Sequence, residues 1–167
     1  MEKIEIRPAS AADAAAVAAI YNEGIEDRLA TFETRPRTPD EVSAWLEDEL
    51  PFLVATDGGT VVGFARVGPY SDRCVYEGVG EHAVYVARVA RGGGVGRRLL
   101  DAVCEEAERA GLYKVTSRIF TDNGPSRAAH LAAGFEEVGI RRRHGRLDGR
   151  WKDCVLVERL LGEAKDG

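Results

Sequence analysis

Apolar and polar positions alternate at the start of the chain, where Ile4 and Ile6 are separated by Glu5, and predict a first strand near residues 3–8. The spacing then lengthens. Val17, Ile20, Tyr21 and Ile25 recur at helical intervals and predict a helix near 11–27, with Asp13 in its first turn. Thr38-Pro39-Asp40-Glu41 reads as a second helix start: a cap, a proline at the first position, and acids at the positive dipole end. Val42, Trp45, Leu46 and Leu50 supply its apolar face, and Pro51 is expected to end it. Phe52–Ala55 and Val61–Val67 flank Asp57-Gly58-Gly59, the pattern of a hairpin. A mixed loop over 69–80 precedes a strand at about 81–88 and a glycine-rich turn. A long helix to about 110 follows, with Leu99, Leu100, Val103 and Ala107 as its inward stripe. Then come a strand at 113–120, a helix at 124–133 and an antiparallel pair around Leu147-Asp148-Gly149-Arg150. The order predicts one α/β domain over residues 1–167, built on a mixed (α+β) sheet.

Composition narrows the function classes. Apolar residues at 44% and charged residues at 31% are the balance of a folded globular chain, not a disordered one. No apolar run is long enough for a membrane-spanning helix, and the first residues lack the pattern of a signal peptide. A net charge of −5 argues against nucleic acid as partner. The basic residues between Arg141 and Arg150 read as a solvated hairpin. Cys74, Cys104 and Cys154 are odd in number and far apart, which argues for a reducing cytoplasm and against a disulfide or metal framework.

The most informative segment is Arg91-Gly92-Gly93-Gly94-Val95-Gly96-Arg97, between a predicted strand and an amphipathic helix. Consecutive glycines permit positive φ and close backbone approach, and the helix start beyond offers free N–H groups to an anion. A mononucleotide loop would need Gly-Lys-Ser/Thr, but Gly96 is followed by Arg97-Arg98-Leu99. A dinucleotide fingerprint needs a further glycine where the chain has Arg97 or Leu99. What remains, Arg91-x-x-Gly94-x-Gly96, resembles the pyrophosphate-binding turn of the GNAT acetyltransferases.

Other stretches extend the resemblance. Val84-Tyr85-Val86 lies where that superfamily's fourth strand splays from its neighbour. Asn123-x-x-Ser126-x-x-x-x-Leu131-x-x-Gly134-Phe135 resembles its second cofactor-binding segment, and also reads as a capped helix with a glycine stop. Within the superfamily the chain is similar to the phosphinothricin, arsinothricin and methionine sulfoximine acetyltransferases. The stretches that carry this are Ile20-Tyr21-Asn22, Ala30-Thr31-Phe32-x-Thr34-x-Pro36, Gly68-Pro69-Tyr70 with Arg73 and Tyr76, Glu81-x-x-Val84-Tyr85-Val86, and Gly149-x-Trp151-x-Asp153. Two positions depart from the wider superfamily. Gly93 replaces a commonly basic residue, and His130 stands where many members carry a tyrosine acid, as it does in the phosphinothricin group.

The resemblance implies a mostly antiparallel sheet with a splayed parallel pair, about four flanking helices, and acetyl transfer from acetyl-CoA to a small amino-acid-like amine. It implies cofactor contacts from Val84, Tyr85, Val86, Arg91, Gly92, Gly93, Gly94, Val95, Gly96, Arg97, Asn123 and Ser126. Phe32, Arg73 and Tyr76 are the implied acceptor-binding residues, an arginine suiting an oxyanion because it binds two oxygens at once; Arg118 is the second candidate, against the reading of a strand arginine paired on the surface. An amino acid reaches the site largely protonated, so a base is required, and Glu81 is the candidate. Its competing reading is a solvated strand-end carboxylate. His130 is the candidate proton donor to the leaving sulfur, against a purely structural reading. No metal is expected. A homodimer is expected, with Val155-Leu156-Val157 and Leu160-Leu161 as its apolar surface or, alternatively, as part of the core. Acetylation of protein or peptide amines, and a non-catalytic acyl-CoA sensor, are the other two functions left open.

Overall fold

Phe52-Leu53-Val54-Ala55 is apolar without alternation, and the fold explains why: its strand is covered on both faces. In the computed structural model, which describes residues 3–167, Phe52 and Val54 face one apolar cluster while Leu53 and Ala55 face another. The first cluster is closed by α1 (Ala14–Asp27) and α2 (Pro39–Trp45), through Val17, Ile20 and Val42. The second is closed by α3 (Val95–Arg109), through Leu99, Leu100 and Val103, with α4 (Gly124–Ala132) beside it.

Seven strands lie between these layers: β1 (Ile4–Pro8), β2 (Phe52–Asp57), β3 (Thr60–Pro69), β4 (Val79–Val86), β5 (Lys114–Phe120), β6 (Glu136–Leu147) and β7 (Arg150–Leu160). Their spatial order is β1-β2-β3-β4-β5-β7-β6. Every neighbouring pair is antiparallel except β4 with β5. The mixed sheet and four helices are those the sequence predicts.

Two elements differ in extent from the expectation. The second helix stops at Trp45 instead of running to Pro51. Beyond it the Asp48 carboxylate accepts the Leu50 N–H, a short-range bond that competes with the helical one. The strand expected at 81–88 begins two residues earlier and ends at Val86, where the chain turns through Arg88–Ala90. The last pair is a long hairpin, and β7 is an interior strand. Val155, Val157 and Leu161 are buried and Leu156 is half-buried, in line with the alternative reading of that segment, while Leu160 is exposed.

Candidate active site

The parallel pair at the centre of the sheet is short. Val79 pairs with Lys114, Gly80 with Val115 and Glu81 with Thr116, after which β4 runs on to Val86 and β5 to Phe120 without further pairing. On its other side β4 stays in constant register with β3, from Pro69–Gly80 to Gly63–Val86. The Ala87 N–H continues that register and donates to the Val62 carbonyl at 2.8 Å. Antiparallel strands turn alternate residues toward the same neighbour. Ala83 and Tyr85 thus bond to β3, while the N–H groups of Val84 and Val86 face the gap left by β5. The Val86 carbonyl in that gap is taken by the Arg91 side chain, whose Nε donates to it at 3.1 Å.

The gap opens into a cleft of about 610 Å³. Its walls include Val84, Tyr85 and Val86 from β4, Ser117, Arg118 and Ile119 from β5, and the turn residues Arg91, Gly92, Gly94, Val95, Gly96 and Arg97. Asn123, Ser126 and His130 from the α4 region complete it. Gly93 is outside this lining. Gly92 and Gly94 both have φ +83, and a Cβ on either would meet no atom within 4 Å. Glycine is thus required there by the backbone, and open space lies beside it. Gly96, by contrast, has no positive φ. It sits in the first turn of α3, where a Cβ would lie 3.6 Å from a Val86 methyl. Gly94 is the N-cap of α3 and provides no side-chain cap, leaving the first N–H groups of the helix to face the cleft.

The turn is braced from α1. Asp27 accepts from Arg88 at 2.8 Å and from Arg91 at 2.6 Å, and Arg88 also reaches Glu26 at 2.8 Å. The hydrogen bonds from Arg88, then Arg91, hold the Asp27 carboxyl below its ordinary range. Arg91 therefore fastens the turn to a helix and a strand end. Tyr85 is likewise built in: its ring stacks on Phe64 at 5.4 Å and meets Tyr21 edge-on at 5.0 Å. Gly24 gives it room, since a Cβ there would lie 2.8 Å from the ring.

Side chains of β4 divide the site into two faces. Val84 and Val86 turn toward the α3–α4 cluster, and Tyr85 toward the α1–α2 cluster. On the α1 side Glu81 is exposed and lies 3.7 Å from Arg118, whose other terminal nitrogen is 3.2 Å from His144 Nε2. Phe32 packs edge-on against Phe120 at 4.8 Å and beside Leu147 and Cys154. Arg73 and Tyr76 lie in an exposed loop, the guanidinium 5.8 Å from the Tyr76 ring centre, and neither lines the cleft.

On the α4 side is a feature that the sequence reading passed over. His82 and His130 are both 2% exposed, with their Nε2 atoms 2.9 Å apart. His130 Nδ1 is 2.7 Å from the Ser126 carbonyl, which only accepts, so that nitrogen carries the hydrogen. Neutral His130 then accepts at Nε2 the hydrogen of His82. His82 Nδ1 is left as a buried acceptor without a partner, the single such side-chain atom among the described residues. Burial depresses the basicity of both rings, and for His82 the neighbouring His130 adds to it. The pair is neutral. His130 lines the cleft, with its Nε2 on His82 and its Nδ1 on the Ser126 carbonyl. The signal for His82 was present: it holds an inward position in the alternation that also sets Val84 and Val86.

None of the three cysteines lines the cleft, and burial pushes the Cys104 thiol up to about 11. Among the described residues no group of His, Cys, Asp and Glu is placed to hold a metal ion, and no helix is long and apolar enough to cross a membrane.

Residues 17–135 match the Acetyltransferase (GNAT) family. The phosphinothricin N-acetyltransferase of Streptomyces viridochromogenes is 38% identical over 162 residues, covering 93% of this chain and 87% of that one. A GNAT superfamily phosphinothricin acetyltransferase from Sinorhizobium meliloti, solved in complex with AcCoA, superposes with a TM-score of 0.92 at 30% identity, over 98% of this chain and 91% of that one. A ribosomal-protein-alanine N-acetyltransferase from Brucella melitensis superposes with a TM-score of 0.90 at 38% identity, over 94% and 99%. With its splayed central strands, glycine-started α3 and similarity along nearly its whole length, the chain belongs to the GNAT acetyltransferase family.

Proposed function

We propose that this chain transfers acetyl from acetyl-CoA directly to the primary amine of a small amino-acid-like substrate of the phosphinothricin, arsinothricin or methionine sulfoximine type. The observation that carries the proposal is the gap between β4 and β5, with an anion-binding helix start on one side and the Glu81–Arg118 pair on the other. The residues present fit acetyl-CoA, since open space adjoins Gly92 and Gly94 for a diphosphate and unpaired strand amides face the gap. Acetyl-CoA supplies the acetyl group as an activated thioester.

The backbone N–H groups at Gly94, Val95 and Gly96 hold the diphosphate, and Arg97 adds charge beside it. Val84 N–H donates a hydrogen bond to the acetyl carbonyl, stabilising the charge that develops there. Glu81 takes a proton from the ammonium, freeing the nitrogen lone pair for attack on the carbonyl carbon. As the carbon–sulfur bond breaks, the second proton shed by that nitrogen goes to the sulfur, which requires nothing of His130. Arg118 lines the cleft and takes the acceptor's carboxylate; Phe32, packed on Phe120 outside that lining, is a lesser acceptor contact. Arg73 and Tyr76 are second-ranked acceptor contacts on this reading: like Glu81 and Phe32 they lie outside the cleft lining, but Glu81 pairs with Arg118, which is in it.

Acetylation of a protein amine remains the second reading, favoured by the likeness to the Brucella melitensis protein, whose name specifies a ribosomal protein. A panel of amino-acid analogues and alanine-terminated peptides, followed by thiol release from acetyl-CoA, separates the two. The amino-acid reading requires turnover of analogues; turnover of peptides alone overturns it.

We place the enzyme in the cytoplasm as a homodimer. The surface for pairing is the open edge of β6, where Val138 and Ile140 are 54% and 56% exposed. Antiparallel pairing of two copies about Gly139 sets Glu136 opposite Arg142, Glu137 opposite Arg141, and Val138 opposite Ile140. Unprotected edges invite such pairing, and charge placement selects the partner. Light scattering at micromolar concentration should give a dimer, and Val138→Lys with Ile140→Lys a monomer. A monomeric parent protein contradicts this.

Two substitutions test the chemistry. Glu81→Gln keeps size while removing basicity, so kcat at neutral pH should fall by about a hundred- to ten-thousandfold, with the residual rate rising with pH. CoA affinity, read by calorimetry, should hold. A near-normal kcat with an unchanged pH profile would mean that the amine arrives neutral. Arg118→Ala should raise the acceptor KM at least about tenfold, the loss of a hydrogen bond to a charged group, with the acetyl-CoA KM unchanged. If Arg73→Ala does this and Arg118→Ala does not, the carboxylate contact belongs to the loop.

A further inference from the structure

Four arginines among the described residues are half-buried: Arg37, Arg66, Arg127 and Arg159. Three of them have acceptors. Arg37 reaches Glu33 and Glu41, Arg127 reaches Glu137, and Arg159 donates to the Ala133 carbonyl at 2.9 Å. Arg66, on β3, has no hydrogen-bond acceptor and no ion-pair partner among the described residues. Its guanidinium lies 4.8 Å from the centre of the Trp45 ring and 5.9 Å from that of Phe52. Aromatic faces attract a cation but leave its N–H groups without acceptors, so they offset only part of the cost of removing it from water. Burial lowers the basicity of this guanidinium, and Asp48, which opposes the effect, lies beyond ion-pair distance.

The register of the sheet relates Arg66 to the chemistry. Arg66 is opposite Ala83, and Gly68 is opposite Glu81. Residues paired across strands share a face, so Arg66 and Gly68 lie on the α1 side with Glu81, Ala83 and Tyr85. Arg66 is outside the cleft lining, but its neighbour Ala83 is in it. On the other side of β4, two residues on from the Glu81–Thr116 pair, Arg118 comes level with the same Ala83. Two arginines therefore flank one small residue, with Glu81 two positions back on the strand between them. The floor beside Arg66 is open. A Cβ on Gly68 would meet nothing nearer than the Arg66 Nη2 and the Glu81 carbonyl oxygen, each at 4.0 Å.

We infer that Arg66 binds a second oxyanion of the acceptor, at the end of its side chain, and so selects α-amino acids with an anionic head over neutral ones. This rests on the acetyl-transfer reading given above. The acceptor lies across β4, with its α-carboxylate on Arg118, its amine at Glu81 and its head on Arg66. β3 and β5 each lie about 4.8 Å from β4 where they pair with it, so both arginines are within one strand of the base. The planar fork of a guanidinium matches two oxygens of one head, and Trp45 fixes that plane. The head in turn supplies the anion that Arg66 lacks inside the protein.

Phosphinothricin and methionine sulfone carry heads of similar shape, a methylphosphinate with a negative charge and a methylsulfone without one. Thiol release from acetyl-CoA is measured with each, and with norleucine, which has no such head. The parent protein should prefer phosphinothricin in kcat/KM. Arg66→Gln should reduce that preference at least about tenfold, through the phosphinothricin KM, because a hydrogen bond to a charged group is lost. Norleucine, which makes no bond to Arg66, should respond least. Arg66→Lys keeps the charge without the fork and should retain part of the preference. Arg66→Met, which keeps the stem over Trp45, repeats the measurement if the glutamine variant does not fold. An equal loss for all three acceptors marks a structural role and overturns the assignment. So does an unaltered preference, or a parent protein that prefers the sulfone. In each of these cases acetyl transfer to amino acids still stands. A parent protein that acetylates none of the three overturns that reading and the assignment together.

Discussion

Two strands that begin as hydrogen-bonded neighbours and then part leave backbone groups facing each other across a gap. In this chain the parting comes after Glu81 and Thr116, and every other feature of the site is arranged around it. An unpaired N–H in a closed interior costs about as much as a lost hydrogen bond, so such a gap persists only where water or a ligand completes it. The constant register of β3 against β4 fixes which amides are left over. The layers on either side, packed through Leu99 and Leu100 on one face and Phe64 and Val54 on the other, prevent the sheet from closing.

The helical layers also divide the labour. On the α3–α4 side the structure offers backbone: left-handed glycines, a helix start, and strand N–H groups. On the α1 side it offers side chains, namely Glu81, Arg118, His144 and Phe32. Backbone donors suit a part shared by all donors of one kind, since they cannot be varied by substitution. Side chains suit the part that distinguishes one acceptor from another. The charges follow the same division. Arg88 and Arg91 are consumed by Asp27 and its neighbours in holding the glycine turn, whereas Arg118 lies in the cleft wall with a surface carboxylate and an imidazole as its partners.

Periodicity was sufficient to locate most elements. Val17, Ile20 and Ile25 gave α1, and Leu99, Leu100 and Val103 gave α3, because an amphipathic stripe depends only on local spacing. The glycine turn was legible because failed nucleotide motifs left one candidate standing. The family resemblance supplied the splay, which no local pattern encodes. What stayed hidden depends on residues distant in sequence. The neutral His82–His130 pair joins positions on a strand and a helix, and neither histidine is distinctive alone. Asn123 could be read as a cap from its neighbours, but its bond to Leu29 spans the molecule. Likewise Val155 and Val157 looked available for pairing until β7 proved to be an interior strand.

The gap between β4 and β5 is central to this account, and amide exchange along β4 tests it most directly. Resolved residue by residue in the presence of acetyl-CoA, exchange should slow at Val84 and Val86, whose N–H groups face the gap. Ala83 and Tyr85, already bonded to β3, should change little. That alternation follows from the register and from nothing else in the molecule. Uniform slowing along β4, or no change at Val84 and Val86 while CoA binds, would place the thioester elsewhere and contradict the account.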